Sequence, residues 1–334
     1  MHEEAHVKHL IDSADWSLEE ISALWDLSRR LKSGEQVAGI ERCLERKSVI
    51  LAFSERTTRT RLTFHSGIVE MGGVPLVVEP EDIHKKTVEH LTDFALAMAV
   101  ASSAICMRLS PSEILPQGSG EKTLRAIASI TEQYNVPVIS VRHDRCHPCQ
   151  GLYEALTLQD ALGRRNLKGT RIVYAWVKGS EPAPWSPTQD SLMLATRLGM
   201  EVTLCNPPGY ELDETVLAIC RQNAEKSGGR FVETSDFESA IDKQEIVYAR
   251  HWATKEQQSL GGYYNRYLDE DCFARANPGA FFIHPMPLKR NDEVAEGVAD
   301  GDRSLLRPLV ENKFYLQKAV LAMTTGFVKP GNQA

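Results

Sequence analysis

The sequence predicts an α/β protein made of two doubly wound parallel-sheet domains joined by helices. Three observations lead there. The chain has 334 residues, more than one hydrophobic core usually serves. Short β-branched runs alternate along it with longer amphipathic stretches, the pattern of parallel βαβ units. The runs also fall into two groups of four around a helical segment, Gly151 to Leu162, closed by Gly163.

In chain order the runs are Ser48 to Phe53, Val74 to Glu79, Ala104 to Arg108 and Val136 to Val141, then Arg171 to Trp176, Glu201 to Cys205, Glu245 to Ala249 and Ala280 to Ile283. Each is read as a buried strand, because a continuous apolar run suits a strand covered on both faces. Helical spacing marks Arg61 to Met71, Val88 to Val100, Leu124 to Tyr134, Ser191 to Leu198 and Glu214 to Ser227, the last stopped by Gly228 and Gly229. The segment Lys178 to Gln189, KGSEPAPWSPTQ, is assigned to a loop because its prolines disfavour helix interior and inner strand alike. The expected division is residues 1–150, residues 151–309, and a C-terminal helix in 310–334, centred on Val310 to Phe327, packing back on the first domain.

Composition narrows the function classes. Hydrophobic residues make up 42% and charged residues 25%, as in an ordinary globular protein, which excludes disordered and fibrous readings. A formal net charge of −7 offers no general attraction to nucleic acid or to an anionic membrane, so any phosphate must be held by a local basic site. The acidic start, MHEEAHVKHLIDSADWSLEE, has neither the basic n-region nor the apolar run of a signal peptide, and the expected location is cytoplasmic. Seven irregularly spaced cysteines suit reduced thiols.

Four constellations follow strands. Ser54 to Arg61, SERTTRTR, stands between a strand and an amphipathic helix, where backbone N–H groups, threonine hydroxyls and the Arg59 fork suit an anion. His147 to Gln150, HPCQ, precedes the connector helix with Pro148 at the first helical position. Arg108 closes the strand AICMR, and His284 to Arg290, HPMPLKR, follows AFFI. All four stand at carboxyl ends of expected parallel strands, where open α/β sheets bind ligands. Arginines, hydroxyls and a neutral histidine brought together suit a small dianion and a carbonyl polarised during attack.

At these residues the chain resembles the aspartate/ornithine carbamoyltransferase family. The family's Ser-x-Arg-Thr-Arg signature stands here as TTRTR, with Thr57 in the serine position; His-Pro-x-Gln is HPCQ and His-x-x-Pro is HPMP. The resemblance runs from about Leu51 to the C-terminal helix. It implies that Thr57, Thr58, Arg59 and Thr60 hold the phosphate of carbamoyl phosphate, and that Arg108 touches phosphate and carbonyl oxygen. His147 and Gln150 would bind the carbamoyl group, with Arg290 reaching the same group and Met286 to Leu288 lying near the acceptor nitrogen. The implied reaction is direct attack by a neutral amine, with the oxyanion held by Arg108, His147 and Thr60, and without metal or organic cofactor.

For the acceptor, ornithine enzymes carry an Asp where this chain has Arg250, and a Cys where it has Pro285, which argues against plain L-ornithine. The long proline-rich loop, where aspartate enzymes place an arginine, argues against plain L-aspartate. The loop, MEVTLCNPPGYEL, NAEKSGG and HPMPLKRN look most like N-acetylornithine and N-succinylornithine carbamoyltransferases and their orphan relatives. That likeness implies a knot in the second domain and an acceptor pocket shaped by Trp185, Arg250 and Trp252, with Arg250 reading an acidic group. Two departures separate this chain from those enzymes: Glu293 replaces their lysine after the Arg-Asn pair, and the segment between Glu79 and Val88 is shorter. The family further implies a homotrimer with shared sites, the loop from Glu79 to Thr87 offering Lys85 and Lys86 to a neighbour's phosphate.

The rival reading is redox, since Cys146-His-Pro-Cys149 is a C-x-x-C at a helix start. A zinc site from His143, Cys146, His147 and Cys149 crowds four ligands into seven residues. No Gly-x-Gly-x-x-Gly or Gly-x-x-x-x-Gly-Lys follows a strand, so nucleotide fingerprints are missing. A homologue that binds the donor without catalysis is the non-enzyme alternative.

Overall fold

The β-branched runs form two all-parallel sheets in the computed structural model, which describes residues 7–79, 90–109, 118–254, 256–257 and 266–328. The chain divides into two compact units: Met1–Leu152 with Glu311–Ala334, and Tyr153–Val310.

Unit 1 carries β1 (Ser48–Phe53), β2 (Val74–Val78), β3 (Ala104–Arg108) and β4 (Val138–Arg142) in the order β2-β1-β3-β4. Its helices are α1 (Leu18–Ser33), α2 (Thr58–Glu70), α3 (Leu91–Ala101) and α4 (Ser119–Thr131), together with the start of α5 (Pro148–Ala161). α1 begins with a capping box, in which Ser17 accepts from Glu20 N and Glu20 accepts from Ser17 N. It ends on Gly34 in the left-handed region, at φ 76°. One face of the sheet packs Ile50, Ala52, Ile105, Met107 and Val138 with Leu124 and Ile127 of α4.

Unit 2 carries β5 (Arg171–Trp176), β6 (Glu201–Cys205), β7 (Arg230–Thr234), β8 (Ile246–Arg250) and β9 (Phe281–Ile283), in the order β7-β6-β5-β8-β9. Its helices are α6 (Ser186–Arg197), α7 (Glu214–Ser227), and the short α8 (Phe237–Ile241), α9 (Glu270–Ala274) and α10 (Glu296–Ala299). α11 (Leu306–Thr324) begins in unit 2 and continues into unit 1. There it lies along α2: a Cβ at Gly67 would stand 3.1 Å from Lys318 Cγ, and Lys318 Nζ donates to Glu70 at 2.8 Å.

Three expectations need correction. Nine strands rather than eight stand among the described residues, because β7, RFVET, is a half-exposed edge strand whose polar residues hide it from an apolar-run search. β2 is not buried: it is the edge of the first sheet, with Val74 52% exposed. The proline-rich loop ends at Trp185, not Gln189, because Pro187 sits in the first turn of α6, where no backbone donor is required. Smaller shifts have similar local causes, as at β4, which starts after Pro137.

Candidate active site

The candidate residues form two sets, one in each unit. In unit 1 the carboxyl ends of β1, β3 and β4 supply Glu55, Arg108 and Arg142. Parallel pairing sets this: Phe53 lies opposite Arg108, and Arg108 opposite Arg142. Arg108 donates through Nε to Glu55 Oε1 at 2.7 Å and through Nη2 to the same oxygen, which also accepts from Arg142 Nη2. One carboxylate oxygen thus holds two guanidinium groups.

α2 starts beside this cluster in sequence. Thr57 is its N-cap, with extended backbone, and its hydroxyl makes no capping hydrogen bond. The first N–H groups of the helix, those of Thr58, Arg59 and Thr60, therefore have no intrahelical acceptor. The Thr58 and Arg59 side chains are exposed, whereas Thr60 is buried and accepts from Lys313 Nζ of α11 at 2.7 Å.

His147 and Gln150 are buried at the start of α5. His147 Nδ1 has no hydrogen-bond partner among the described residues. Burial first, then the charges of Arg108, Lys313 and Arg142, lower its pKa well below the usual histidine value, so the imidazole is neutral near pH 7. Lys313 is shifted for the same reasons: burial, then Arg59 and Arg108, lower its pKa to about 7. Thr57, Thr58, Arg59, Thr60, Arg108, His147 and Gln150 all lie in unit 1. Lys85 and Lys86 lie outside the described residues.

Sequence reasoning missed Glu55, Arg142 and Lys313. Glu55 stands inside the SERTTRTR segment as an anion among cations, and nothing in the spacing marks it as their partner. Lys313 had a legible signal, since it completes the apolar stripe Leu309, Leu316 and Val320 of α11 at helical spacing. A lysine on that face must either be matched by its surroundings or lose its charge.

In unit 2 the carboxyl ends of β5, β8 and β9 bring together Val177, Arg250, His251 and His284, beside the point where strand order reverses. His251 Nδ1 donates to Val177 O at 3.1 Å, which puts the ring proton on that nitrogen. The backbone at Gly179 lies against this ring, where a Cβ would stand 2.3 Å from His251 Cγ. Arg250 Nη1 donates to Pro287 O at 3.2 Å, just after the cis Met286–Pro287 peptide. His284 and Glu293 form a buried pair at 2.9 Å. Burial raises the Glu293 pKa, but the His284 hydrogen bond and the charges of His284, Arg250 and His251 outweigh it, leaving the carboxyl below its usual range.

The remaining expected residues of unit 2 are placed unequally. Met286 and Leu288 are partly buried against the unit's core, and Trp185 is half-buried with Nε1 donating to Gln257 at 3.2 Å. The guanidinium of Arg290 is bidentate on Asp300 at 2.6 Å, at an exposed position. Trp252 is a correction. It is 0% exposed, its indole N–H is used by Tyr210 O and its carbonyl by Trp176 Nε1, so it is part of the packed interior and has no surface for a ligand. The redox motif is also corrected: Cys146 and Cys149 are not joined in a disulfide and are buried, and Cys146 donates to Asp12. Thiols shut away from solvent have no access for disulfide exchange.

Residues 8–160 match the family model described as aspartate/ornithine carbamoyltransferase, carbamoyl-P binding domain, and residues 172–324 the one described as aspartate/ornithine carbamoyltransferase, Asp/Orn binding domain. The N-acetylornithine carbamoyltransferase of Xanthomonas campestris pv. campestris is 30% identical over 348 residues, covering 97% of this chain and 99% of that protein. The ornithine carbamoyltransferase of Pyrococcus abyssi is 29% identical over 330 residues, covering 97% and 98%. Among solved structures, an acetylornithine transcarbamylase complexed with acetylcitrulline superposes with a TM-score of 0.82 at 28% identity, covering 95% of this chain and 98% of that one. A mutant N-acetyl-L-ornithine transcarbamylase complexed with carbamyl phosphate and N-succinyl-L-norvaline also gives 0.82 at 28%, covering 95% and 99%.

Proposed function

Because this chain belongs to the aspartate/ornithine carbamoyltransferase family, we propose that its unit 1 residues hold carbamoyl phosphate and its unit 2 residues select an ornithine-type acceptor whose α-nitrogen is acylated. The chain is a carbamoyltransferase: it moves the carbamoyl group of carbamoyl phosphate onto the amino group of an amino-acid-like acceptor and releases phosphate.

In this reading the N–H groups of Thr58, Arg59 and Thr60, with the Arg59 and Arg108 guanidiniums, receive the phosphate. The neutral amine of the acceptor attacks the carbamoyl carbon. The carbonyl oxygen gains charge and is held by Arg108, Thr60 and an N–H of His147, while Gln150 orients the carbamoyl group. The carbon–oxygen bond to phosphate then breaks, and the amine proton leaves with it. His147 suits this task because a neutral imidazole has one ring N–H to donate and another nitrogen to accept.

The observation that carries the acceptor assignment is Arg250, buried at the end of β8. A guanidinium there repels the α-ammonium of free ornithine, and acylation removes that charge or, in a succinyl group, replaces it with a carboxylate. Initial rates of ureido product formation with ornithine, aspartate, N-acetylornithine and N-succinylornithine test this. An N-acyl ornithine should lead by at least an order of magnitude, and Arg250→Ala should shrink the lead. A best rate with plain ornithine, unaffected by Arg250→Ala, rejects the assignment.

The active unit of this reading is a homotrimer with shared sites, in which Lys85 and Lys86 reach a neighbour's phosphate. Its test is complementation: inactive Arg108→Ala subunits exchanged with inactive Lys85→Ala/Lys86→Ala subunits should regain activity. Full activity of the double lysine variant alone rejects it. The same reading places the protein in the cytoplasm, and no helix among the described residues is long and apolar enough to cross a membrane. It also includes a knot in unit 2 formed at the proline-rich loop; support is the pair of backbone hydrogen bonds closing Ala183 on Ala253.

A further inference from the structure

The proline-rich loop leaves β5 across a histidine ring. His251, one residue beyond Arg250 at the end of β8, is 3% exposed. Strand pairing ends with Trp176 opposite Arg250, and a side chain completes one more step of it. The N–H of Val177 donates to Arg250 O at 3.2 Å, and its carbonyl accepts from His251 Nδ1 at 3.1 Å. Both polar groups of Val177 are thus taken by Arg250 and His251. Trp176 meets the ring edge-on, with centroids 5.4 Å apart. Gly179 packs directly on the ring: a Cβ there would stand 2.3 Å from His251 Cγ, 2.5 Å from Cδ2 and 2.8 Å from Cβ. Space and not conformation requires this glycine, because its backbone lies outside the left-handed region.

Other ties hold the same loop, and they differ in kind. Lys178 N–H donates to Arg266 O at 2.8 Å, and Ala183 and Ala253 exchange backbone hydrogen bonds at 3.0 and 3.1 Å. Between them Ser180 donates to Asp292 at 3.4 Å and accepts from Lys289 at 2.9 Å, and Lys289 lies 3.6 Å from Glu181, all at the surface. Surface pins of that kind contribute little. The packed, buried contact of the turn is that of Gly179 on His251. We infer that His251 is a positioning residue for acceptor recognition: its ring, received in the notch that Gly179 leaves, sets the path of the proline-rich loop relative to Arg250. This rests on the assignment of unit 2 as the acceptor site, where Arg250 reads the acyl group and the loop shapes the pocket. His251 touches no reacting atom in this role and acts through Val177, Gly179 and Arg250.

A methyl group at position 179 and the ring at position 251 cannot share the notch. Gly179→Ala therefore displaces the loop and should raise the acceptor KM about tenfold, the scale of an overpacked buried contact. His251→Ala removes the ring and its hydrogen bond to Val177 and should raise KM about fivefold. In Gly179→Ala/His251→Ala the methyl enters space that the ring has left, so KM should fall below that of Gly179→Ala alone. Two independent sites would add instead. His251→Asn places an N–H where Nδ1–H stands and should recover part of the loss. Because the lost interaction is one of binding, kcat at saturating acceptor should stay within about threefold in every variant.

The experiment has two readings on the full-length protein. Initial rates of ureido product give KM and kcat with whichever acceptor of the panel is fastest, and amide hydrogen exchange without ligand follows peptides covering residues 178–185. The expected result is faster exchange over those residues in Gly179→Ala and His251→Ala, slower exchange again in His251→Asn, and the KM order given above. Additive KM effects in the double variant overturn the proposal, as does a fall in kcat with KM unmoved. Unchanged exchange over residues 178–185 in both single alanine variants also overturns it. If Gly179→Ala does not fold, His251→Ala against His251→Asn still decides through KM and exchange. Absence of ureido product from the unsubstituted protein with every acceptor would instead reject the unit 2 acceptor site, and the exchange data would then show separately whether the ring seats the loop.

Discussion

Replacing Glu55 by glutamine tests whether the cluster in unit 1 is held shut by its own carboxylate. Glu55 Oε1 accepts from Arg108 Nε at 2.7 Å, from Arg108 Nη2 and from Arg142 Nη2. The side chains of Arg108 and Arg142 are 11% and 9% exposed and that of Glu55 30%, so solvent screens the group only in part. A hydrogen bond to a charged group contributes about 1.5–3 kcal/mol. Glutamine keeps an oxygen acceptor and loses the charge, so the net loss is nearer the lower end, about 1.5 kcal/mol.

That loss appears twice with opposite sign. Without ligand, two neighbouring guanidiniums lose their counter-charge, and the melting temperature should drop by roughly 3–6 °C for a unit of this size. With donor, the phosphate no longer displaces a resident anion, and donor affinity should rise about tenfold, since 1.4 kcal/mol is a factor of ten. Thermal melts with and without carbamoyl phosphate or inorganic phosphate, followed by calorimetric titration, measure both. Unchanged or weaker donor affinity in Glu55→Gln would refute this reasoning, because the carboxylate would then not compete with the donor.

Arg59→Ala and Arg108→Ala should each abolish measurable turnover and weaken donor binding by about 10- to 100-fold, because each removes charge-assisted hydrogen bonds to the phosphate; a binding titration checks this. Cys146→Ser with Cys149→Ser should keep transfer activity within about threefold, because buried thiols serve packing, and the ureido assay without reductant is the measurement. Glu293→Ala should destabilise unit 2 by about 3 kcal/mol in denaturant unfolding, since it leaves His284 buried without its carboxylate and removes the negative charge near Arg250. Because the folded pKa of Glu293 is depressed, its stabilisation is present above the unfolded carboxyl pKa and is lost as pH falls through the folded value. The variant and the parent should therefore converge in stability at acid pH.

The parts of the fold that were legible share one cause. β1, β3, β5 and β6 match their apolar runs end for end because they are inner or well-covered strands, where burial alone dictates residue type. β7 was invisible because an edge strand has one solvated side and permits Arg230 and Glu233. The start of α6 is hidden because proline reads as a helix breaker, whereas at the first turn its missing N–H costs nothing. The candidate residues of unit 1 are legible because they follow strands. Glu55 and Lys313 were not, because their meaning lies in charges brought near by folding. Spacing in the sequence cannot show that Arg142 and Arg108 share one carboxylate oxygen, nor that Lys313 lies beside Arg59 with no carboxylate paired to it among the described residues.

An acidic protein of net charge −7 must attract and recognise a dianion. Four cationic side chains, Arg59, Arg108, Arg142 and Lys313, meet in unit 1 around a neutral His147. Left bare, they would repel one another in a partly desolvated space. Two devices relieve that repulsion without donor: Glu55 occupies two guanidiniums, and Lys313 gives up its proton near neutral pH. Each device also raises the threshold for a ligand. A monoanion that displaces Glu55 replaces one charge by one charge and has little left with which to restore the proton on Lys313. A phosphate dianion can do both, replacing the carboxylate and stabilising an added positive charge. On the proposed donor site, discrimination for carbamoyl phosphate over bicarbonate, chloride or a free carboxylate then comes from the arrangement of charge before binding as much as from contacts to the ligand. If so, Glu55→Gln combined with Lys313→Arg should bind monoanions more tightly relative to phosphate than the unsubstituted protein does, and inhibition of donor binding by acetate and chloride measures that ratio directly.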